Sequence, residues 1–142
     1  MEKFSAVLGL TWRAMPSMTA TFHTADGEEL TDPDGRVVYS VEGPPYVELM
    51  QAHGDELFAL RGGERVHHLG IWAPDYESYR ADDSGDRLPI ERTIHVRPGD
   101  PFQWLSDPAD LFGVRIEFTD EARRPGLQPF LDGGPLFSGE GR

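Results

Sequence analysis

Glu48, His68 and Glu117 are of residue types that bind divalent metals, and each lies in a short segment of strand-like sequence. The segments are "YVELM" (46–50), "HHLGIW" (67–72) and "VRIEFT" (114–119). Side chains alternate between the two faces of a strand, so each of the three residues points away from its apolar neighbours. If helices cover the apolar faces, the opposite face carries two carboxylates and one imidazole. This set suits Fe(II), Mn(II), Ni(II), Co(II) or Zn(II), and the pattern predicts a divalent metal site.

The adjacent histidines of the second segment separate by the same rule, because only one of two neighbouring strand side chains faces a given side. His68 shares a face with Gly70 and Trp72 and is the predicted ligand. His67 shares a face with Leu69 and is predicted to point toward the helix-covered side.

None of the three candidate ligands is specific by itself. A glutamate within a strand is more often a solvated residue on the exposed face of a sheet. A single strand histidine is more often packed or hydrogen-bonded than bound to metal. Their joint occurrence at positions that the alternation requires is what favours a site.

The bulk properties narrow the class of protein. The 142 residues fit one domain, and the formal net charge of -12 argues against a nucleic-acid partner. The chain has no cysteine, which excludes disulfides, thiolate metal sites and a cysteine nucleophile. No apolar run reaches the length of about 20 residues that a membrane span needs, and the start lacks the features of a signal peptide. We therefore expect no membrane partner and a cytoplasmic location.

The predicted elements follow the order helix, three strands, linker, strand, helix, three strands. The helices fall at 2–8 and within 73–85, the strands at 18–24, 36–41, 46–51, 65–72, 91–96, 102–106 and 114–119, the linker at 52–63, and one further helical turn at 127–131. The second half is thus a strand, a helix and three strands, and the first half is the same unit without its first strand. "TFHTADG" (21–27) corresponds to "TIHVRPG" (93–99), which supports an internal repeat.

Three stretches together resemble the vicinal oxygen chelate superfamily, which includes glyoxalases, bleomycin-resistance proteins, methylmalonyl-CoA epimerases and extradiol dioxygenases. They are "GPPYVELMQA" (43–52), "VHHLGIWAPD" (66–75) and "SDPADLFGVRIEFTDE" (106–121). The resemblance covers residues 1–132 and implies an α+β fold, in which two βαβββ modules form a cup-shaped mixed sheet with helices outside. Residues 1–57 would be the first module without its first strand, residues 64–132 the second, and residues 133–142 a flexible tail, all in one domain.

The resemblance also implies a ligand set. Family members use a histidine early in each module's first strand and a glutamate late in each fourth strand. His68 and Glu117 match these positions in the second module, and Glu48 matches the glutamate of the first. The first module's histidine has no counterpart. Either the start codon is misplaced, another segment or chain fills the gap, or the metal has three protein ligands.

A different register would make "VLGLTW" (7–12) the first strand itself and would place Val7 at the ligand position. That register leaves no room for the helix that a crossover between parallel strands requires.

The predicted catalytic residues are Glu48 and Glu117, either of which could act as a base if it leaves the metal during turnover. Aromatic and imidazole side chains are predicted to line the substrate pocket on the same face. They are His23, Tyr46, Trp72, His95 and Trp104.

Two classes of function stay open for a small-molecule partner. In the first, a bound metal polarises a substrate with two neighbouring oxygens, in a lyase, isomerase or epimerase acting on a small oxygenated metabolite. In the second, the chain binds and sequesters a ligand or drug without metal, as bleomycin-resistance relatives do. A dioxygenase is a subordinate enzyme alternative, and an inactive truncated domain is a third possibility. An unpaired sheet edge would favour a homodimer.

Overall fold

A computed structural model describes residues 1–16, 20–32, 36–51, 57 and 66–136. The chain divides into two compact units. The first consists of Met1–Met18, Asp34–Gly63 and Pro125–Arg142, and the second of Thr19–Pro33 and Glu64–Arg124. These boundaries differ from the expected halves, because residues 19–33 join the second unit and the chain from residue 125 joins the first.

The second unit is built on a six-stranded sheet of order β3-β2-β7-β8-β9-β6. Its strands are β2 (Ala20–Thr24), β3 (Glu29–Asp32), β6 (His68–Ala73), β7 (Ile90–Arg97), β8 (Asp100–Ser106) and β9 (Arg115–Asp120), and helix α2 (Tyr76–Ala81) joins β6 to β7. Strand β6 runs parallel to β9, and the other pairs are antiparallel. The order strand, helix, three strands between residues 68 and 120 is as predicted.

Helix α2 begins where Asp75 caps it. The Asp75 carboxylate accepts hydrogen bonds from the backbone N–H and the hydroxyl of Ser78, at 2.9 and 2.7 Å, and these bonds lower the pKa of Asp75. Tyr76 and Tyr79 are three residues apart and therefore share a helix face. Both rings pack against Trp104, which fixes α2 on one face of the sheet.

One buried hydrophobic cluster of the second unit lies on this face. Trp104 is fully buried and its ring stacks on that of Phe118, with centroids 5.7 Å apart. Ala73 completes the buried cluster, and partly buried side chains surround it, namely those of Tyr76, Tyr79, Leu88, Ile90 and Ile116. We call this side of the sheet the Trp104 face and the other side the Glu117 face.

The first unit contains a three-stranded antiparallel sheet of order β1-β4-β5. Its elements are α1 (Glu2–Leu8), β1 (Trp12–Ala14), β4 (Val37–Ser40) and β5 (Glu48–Met50), and α3 (Arg124–Leu131) enters it from residue 125 onward. Helix α1 ends at Gly9, whose φ of 70° is the left-handed conformation that glycine adopts readily.

The segment after α3 is attached to the first unit through Arg13. Its guanidinium donates to the carbonyl oxygens of Phe130 and Gly134, at 2.9 and 2.8 Å. The predicted tail is therefore anchored at its start, and residues 137–142 of that tail lie outside the described residues. Most of the predicted linker at 52–63 also lies outside them.

Three features differ from the expectation. Strands β1 and β3 are not predicted, because β1 has three residues and the sequence of β3 lies between two Asp-Gly turn signals, at 26–27 and 34–35. The Asp26-Gly27 turn, with Gly27 at φ 84°, closes a β2–β3 hairpin instead of a loop. Leu69 and Ile71 are 56% and 48% exposed on edge strand β6, where α2 does not cover them.

The described residues thus form a mixed α+β structure with two sheets and short helices, which confirms the predicted fold class at that level. None of these helices is both long and apolar enough to cross a membrane.

Replacing Trp104 by alanine is expected to destabilise the protein by about 3–5 kcal/mol, because it opens a cavity in a fully packed position. Urea unfolding followed by circular dichroism measures this loss. The matched control is Phe112→Ala, since Phe112 is a fully exposed aromatic residue and its loss should change stability by less than about 0.5 kcal/mol. Similar losses in both variants would contradict the assignment of the core.

Candidate metal centre

The parallel pairing of β6 with β9 brings His68 and Glu117 together. The register pairs Gly70 with Glu117 and His68 with Arg115, so the histidine and the glutamate lie on the same face of neighbouring strands. His68 Nε2 is 3.8 Å from Glu117 Oε2. Their side chains are only 8% and 12% exposed, so this imidazole–carboxylate pair is largely shielded from water.

Gln103 positions the carboxylate from the adjacent strand. Its Nε2 donates to Glu117 Oε1 at 2.7 Å and to Thr119 Oγ1 at 3.2 Å. Register explains the contact, because β8 pairs Gln103 with Thr119 on the Glu117 face. Sequence reasoning missed Gln103, although the alternation in "FQWLS" (102–106) does place this amide opposite Phe102 and Trp104.

His67 holds the imidazole of His68. The two Nδ1 atoms lie 2.9 Å apart, and His67 Nε2 is 3.5 Å from Arg115 Nη1. Arg115 is itself fixed by Glu91, which accepts from Nε at 2.5 Å and from Nη2 at 3.0 Å. The prediction that His67 points to the opposite face is wrong: it precedes the first residue of β6, where strict alternation does not apply, and its ring contacts His68.

These contacts assign the protons of both imidazoles. Arginine only donates, so His67 Nε2 accepts and the proton of His67 lies on Nδ1. That N–H donates to His68 Nδ1, which leaves the proton of His68 on Nε2, facing Glu117. A metal ion bound at Nε2 would replace that proton, and its binding would reverse or break the hydrogen bond between the two Nδ1 atoms.

The spacing of the pair fits a shared ion. Two donor atoms each about 2.1 Å from one ion are separated by about 3.0 Å at a right angle and about 4.2 Å when opposite. The 3.8 Å between His68 Nε2 and Glu117 Oε2 lies within this range. It also exceeds the length of a direct hydrogen bond, about 2.7–3.2 Å.

Glu48 belongs to the first unit and begins strand β5. Its carboxylate is half-buried and accepts a hydrogen bond from the hydroxyl of Tyr39 at 2.8 Å, across the β4–β5 pair. The second unit therefore offers one imidazole and one carboxylate that could hold a metal ion, His68 and Glu117, and the first unit offers the carboxylate of Glu48.

The predicted pocket residues fall into different places. Trp72 lies on the Glu117 face, because β6 pairs it with Thr119. Tyr46 belongs to the first unit, where its hydroxyl donates to Asp132 at 2.6 Å, and this hydrogen bond raises the pKa of Tyr46.

Three pocket predictions are corrected by the register. Trp104 is a fully buried core residue and cannot line an open pocket. His23 pairs with Thr93, which pairs with Trp104, so His23 lies on the Trp104 face. His95 joins it there, with ring centroids 4.3 Å apart. Both histidines therefore lie on the face of the sheet that does not carry Glu117. The internal repeat predicts that the two histidines align with each other, but it does not predict which face of the sheet they occupy.

No family model, curated protein or solved structure matches this chain. The likeness to the vicinal oxygen chelate superfamily therefore rests on its sequence motifs alone.

The His23–His95 pair predicts a pH dependence of stability. Burial, and then the neighbouring His23, lower the pKa of His95 below its ordinary value of 6.5, with Asp100 acting in the opposite direction. Below pH 6.5 the unfolded chain therefore takes up a proton that the folded chain does not, so stability falls from there toward the folded-state pKa. We expect His95→Gln to lose less free energy of unfolding than wild type between about pH 7.5 and 5.5, measured by urea unfolding. Equal losses would contradict the lowered pKa.

Proposed function

We propose that this protein is a metal-dependent lyase, isomerase or epimerase of the glyoxalase type, acting on a small metabolite that carries two neighbouring oxygens. The observation that carries the proposal is the shielded His68–Glu117 pair, whose donor atoms are spaced for one divalent ion. Fe, Mn, Ni, Co and Zn all accept a ligand set of imidazole and carboxylate.

Glu48 is the third ligand in this proposal. Its support comes from the sequence, in which "YVEL" (46–49) corresponds to "RIEF" (115–118) and places Glu48 where the second half has Glu117. Three protein ligands leave coordination positions open, as a catalytic site requires. A substrate with vicinal oxygens would take two of these positions.

The residues of the site would have separate roles in the reaction. A bound divalent ion supplies Lewis acidity for the substrate oxygens. Glu117 or Glu48 takes the substrate proton and returns it. Gln103 keeps the Glu117 carboxylate in place through Oε1 while Oε2 is engaged. Before a metal ion binds, His67 and Arg115 orient the His68 ring toward Glu117.

Metal content provides the direct test. The purified protein is expected to hold about one divalent ion per chain by elemental analysis, and His68→Ala or Glu117→Gln to retain less than about a tenth of it. Glu48→Gln should cause a comparable loss if it is the third ligand. Glu77→Gln is the matched control, because Glu77 is an exposed carboxylate that pairs with the solvated Arg80.

Unchanged metal content in His68→Ala and Glu117→Gln would overturn the proposal. Folded protein without metal that still binds a small organic ligand would instead support the sequestration function. Circular dichroism of each variant separates loss of the site from loss of the fold.

Gln103→Leu is expected to weaken metal binding by about 10–100-fold, because it removes the donor that orients Glu117. A competition titration against a chelator measures the change in affinity. Gln128→Leu is the control, since Gln128 also donates to a carboxylate, that of Asp132, but on the exposed surface of the first unit. An unaltered affinity in Gln103→Leu would show that Glu117 is not a ligand through this arrangement.

A further inference from the structure

A cationic side chain is held over the Glu117 face. The guanidinium carbon of Arg124 lies 5.6 Å from the centroid of the Trp72 ring, within the range of a cation–π contact. Trp72 shares its face with His68 and Glu117, because β6 pairs it with Thr119 in the same register that pairs Gly70 with Glu117.

The chain turn after β9 explains how Arg124 reaches this place. Asp120 ends the strand and its carboxylate accepts from the backbone N–H of Ala122 at 2.8 Å, which caps the single turn Glu121–Arg123. Arg124 follows directly. Arg124, whose guanidinium lies near the Trp72 ring, is therefore only five positions after Thr119, the residue that pairs with Trp72.

Arg124 has an acidic partner that a ligand could displace. Its Nη1 lies 3.5 Å from Glu121 Oε1, three residues away, and the two side chains are 50% and 61% exposed. A solvated pair of this kind contributes little to stability. Arg115, by contrast, is 11% exposed and committed to Glu91 by two hydrogen bonds.

The spacing of residues along β9 limits which ligands could bind Arg124 and the proposed metal site together. Glu117 and Thr119 are one strand repeat apart, about 6.6–6.8 Å. The hydrogen bonds of Gln103 to both residues make the stretch between them polar. A planar guanidinium recognises a carboxylate through two parallel hydrogen bonds.

The geometry points to a substrate class: a small 2-oxo or 2-hydroxy acid whose second carboxylate, two or three carbons from the chelating oxygens, binds Arg124 beside Trp72. The inference rests on the proposed function, because the chelating end needs the metal at His68 and Glu117. In this arrangement Arg124 determines substrate specificity, and the reaction takes place at the metal site.

Two ligands that differ only at the distal end test this inference. Calorimetry on the metal-loaded protein compares 2-oxoglutarate with 2-oxovalerate, in which a methyl group replaces the distal carboxylate. The wild type should bind 2-oxoglutarate about tenfold or more tightly than 2-oxovalerate. Arg124→Gln should remove this preference while leaving 2-oxovalerate affinity and metal content unchanged, and Arg124→Lys should restore part of it.

Arg80→Gln is the matched control. Arg80 also pairs with a glutamate three residues away and also lies over an aromatic ring, that of Tyr76 at 5.9 Å, but Tyr76 belongs to the Trp104 face. This variant should keep the full preference for 2-oxoglutarate.

The outcomes separate the two proposals. Metal bound together with equal affinities for the two acids, or with binding of neither, would overturn the Arg124 inference alone. An Arg124→Gln protein that keeps the preference would do the same. Absence of bound metal would overturn the proposed function, and the inference with it.

Discussion

The parallel pairing of β6 with β9 is the contact on which the candidate site depends. His68 and Glu117 are 49 positions apart in the chain, and this register places them on the same face of neighbouring strands. A parallel pair needs a crossover, and α2 with its Asp75 cap provides it. The packing of Tyr76 and Tyr79 on Trp104 then holds the crossover to the opposite face. The hydrophobic cluster around Trp104 and the polar pair are therefore two consequences of one connection.

Alternation along single strands was enough to predict this pair but not its surroundings. The apolar neighbours of His68 and Glu117 point to the Trp104 face, and each local pattern shows this without knowledge of the partner strand. The side on which a residue of β7 lies depends on its partners, and β7 contains several register shifts against β8. The histidines of the repeat, His23 and His95, show the result: they do lie together, but on the Trp104 face.

The hydrogen bonds between side chains of different strands also could not be predicted from the sequence. Gln103 looks like an ordinary polar residue of a half-buried strand until β8 is placed beside β9. Arg115 looks like a solvated cation until Glu91 is found to occupy its guanidinium. The resemblance to a metal-binding superfamily proposed the ligands, whereas the side chains that orient those ligands could be named only from the register. His67 lies just before the first residue of β6, and its ring therefore contacts His68 instead of pointing to the opposite face.

Charge balance links the pair to the ligand class. Glu91 neutralises Arg115, and the protons as assigned leave His67 and His68 without charge, so the His68–Glu117 pair carries the negative charge of Glu117. A divalent cation bound to the pair would make that local charge positive. In a chain of net charge -12, an anionic substrate is attracted only where such local compensation exists. The bound ion and Arg124 would each supply positive charge, at the two ends of one polar stretch. A diacid is therefore a better complement to the Glu117 face than a neutral metabolite.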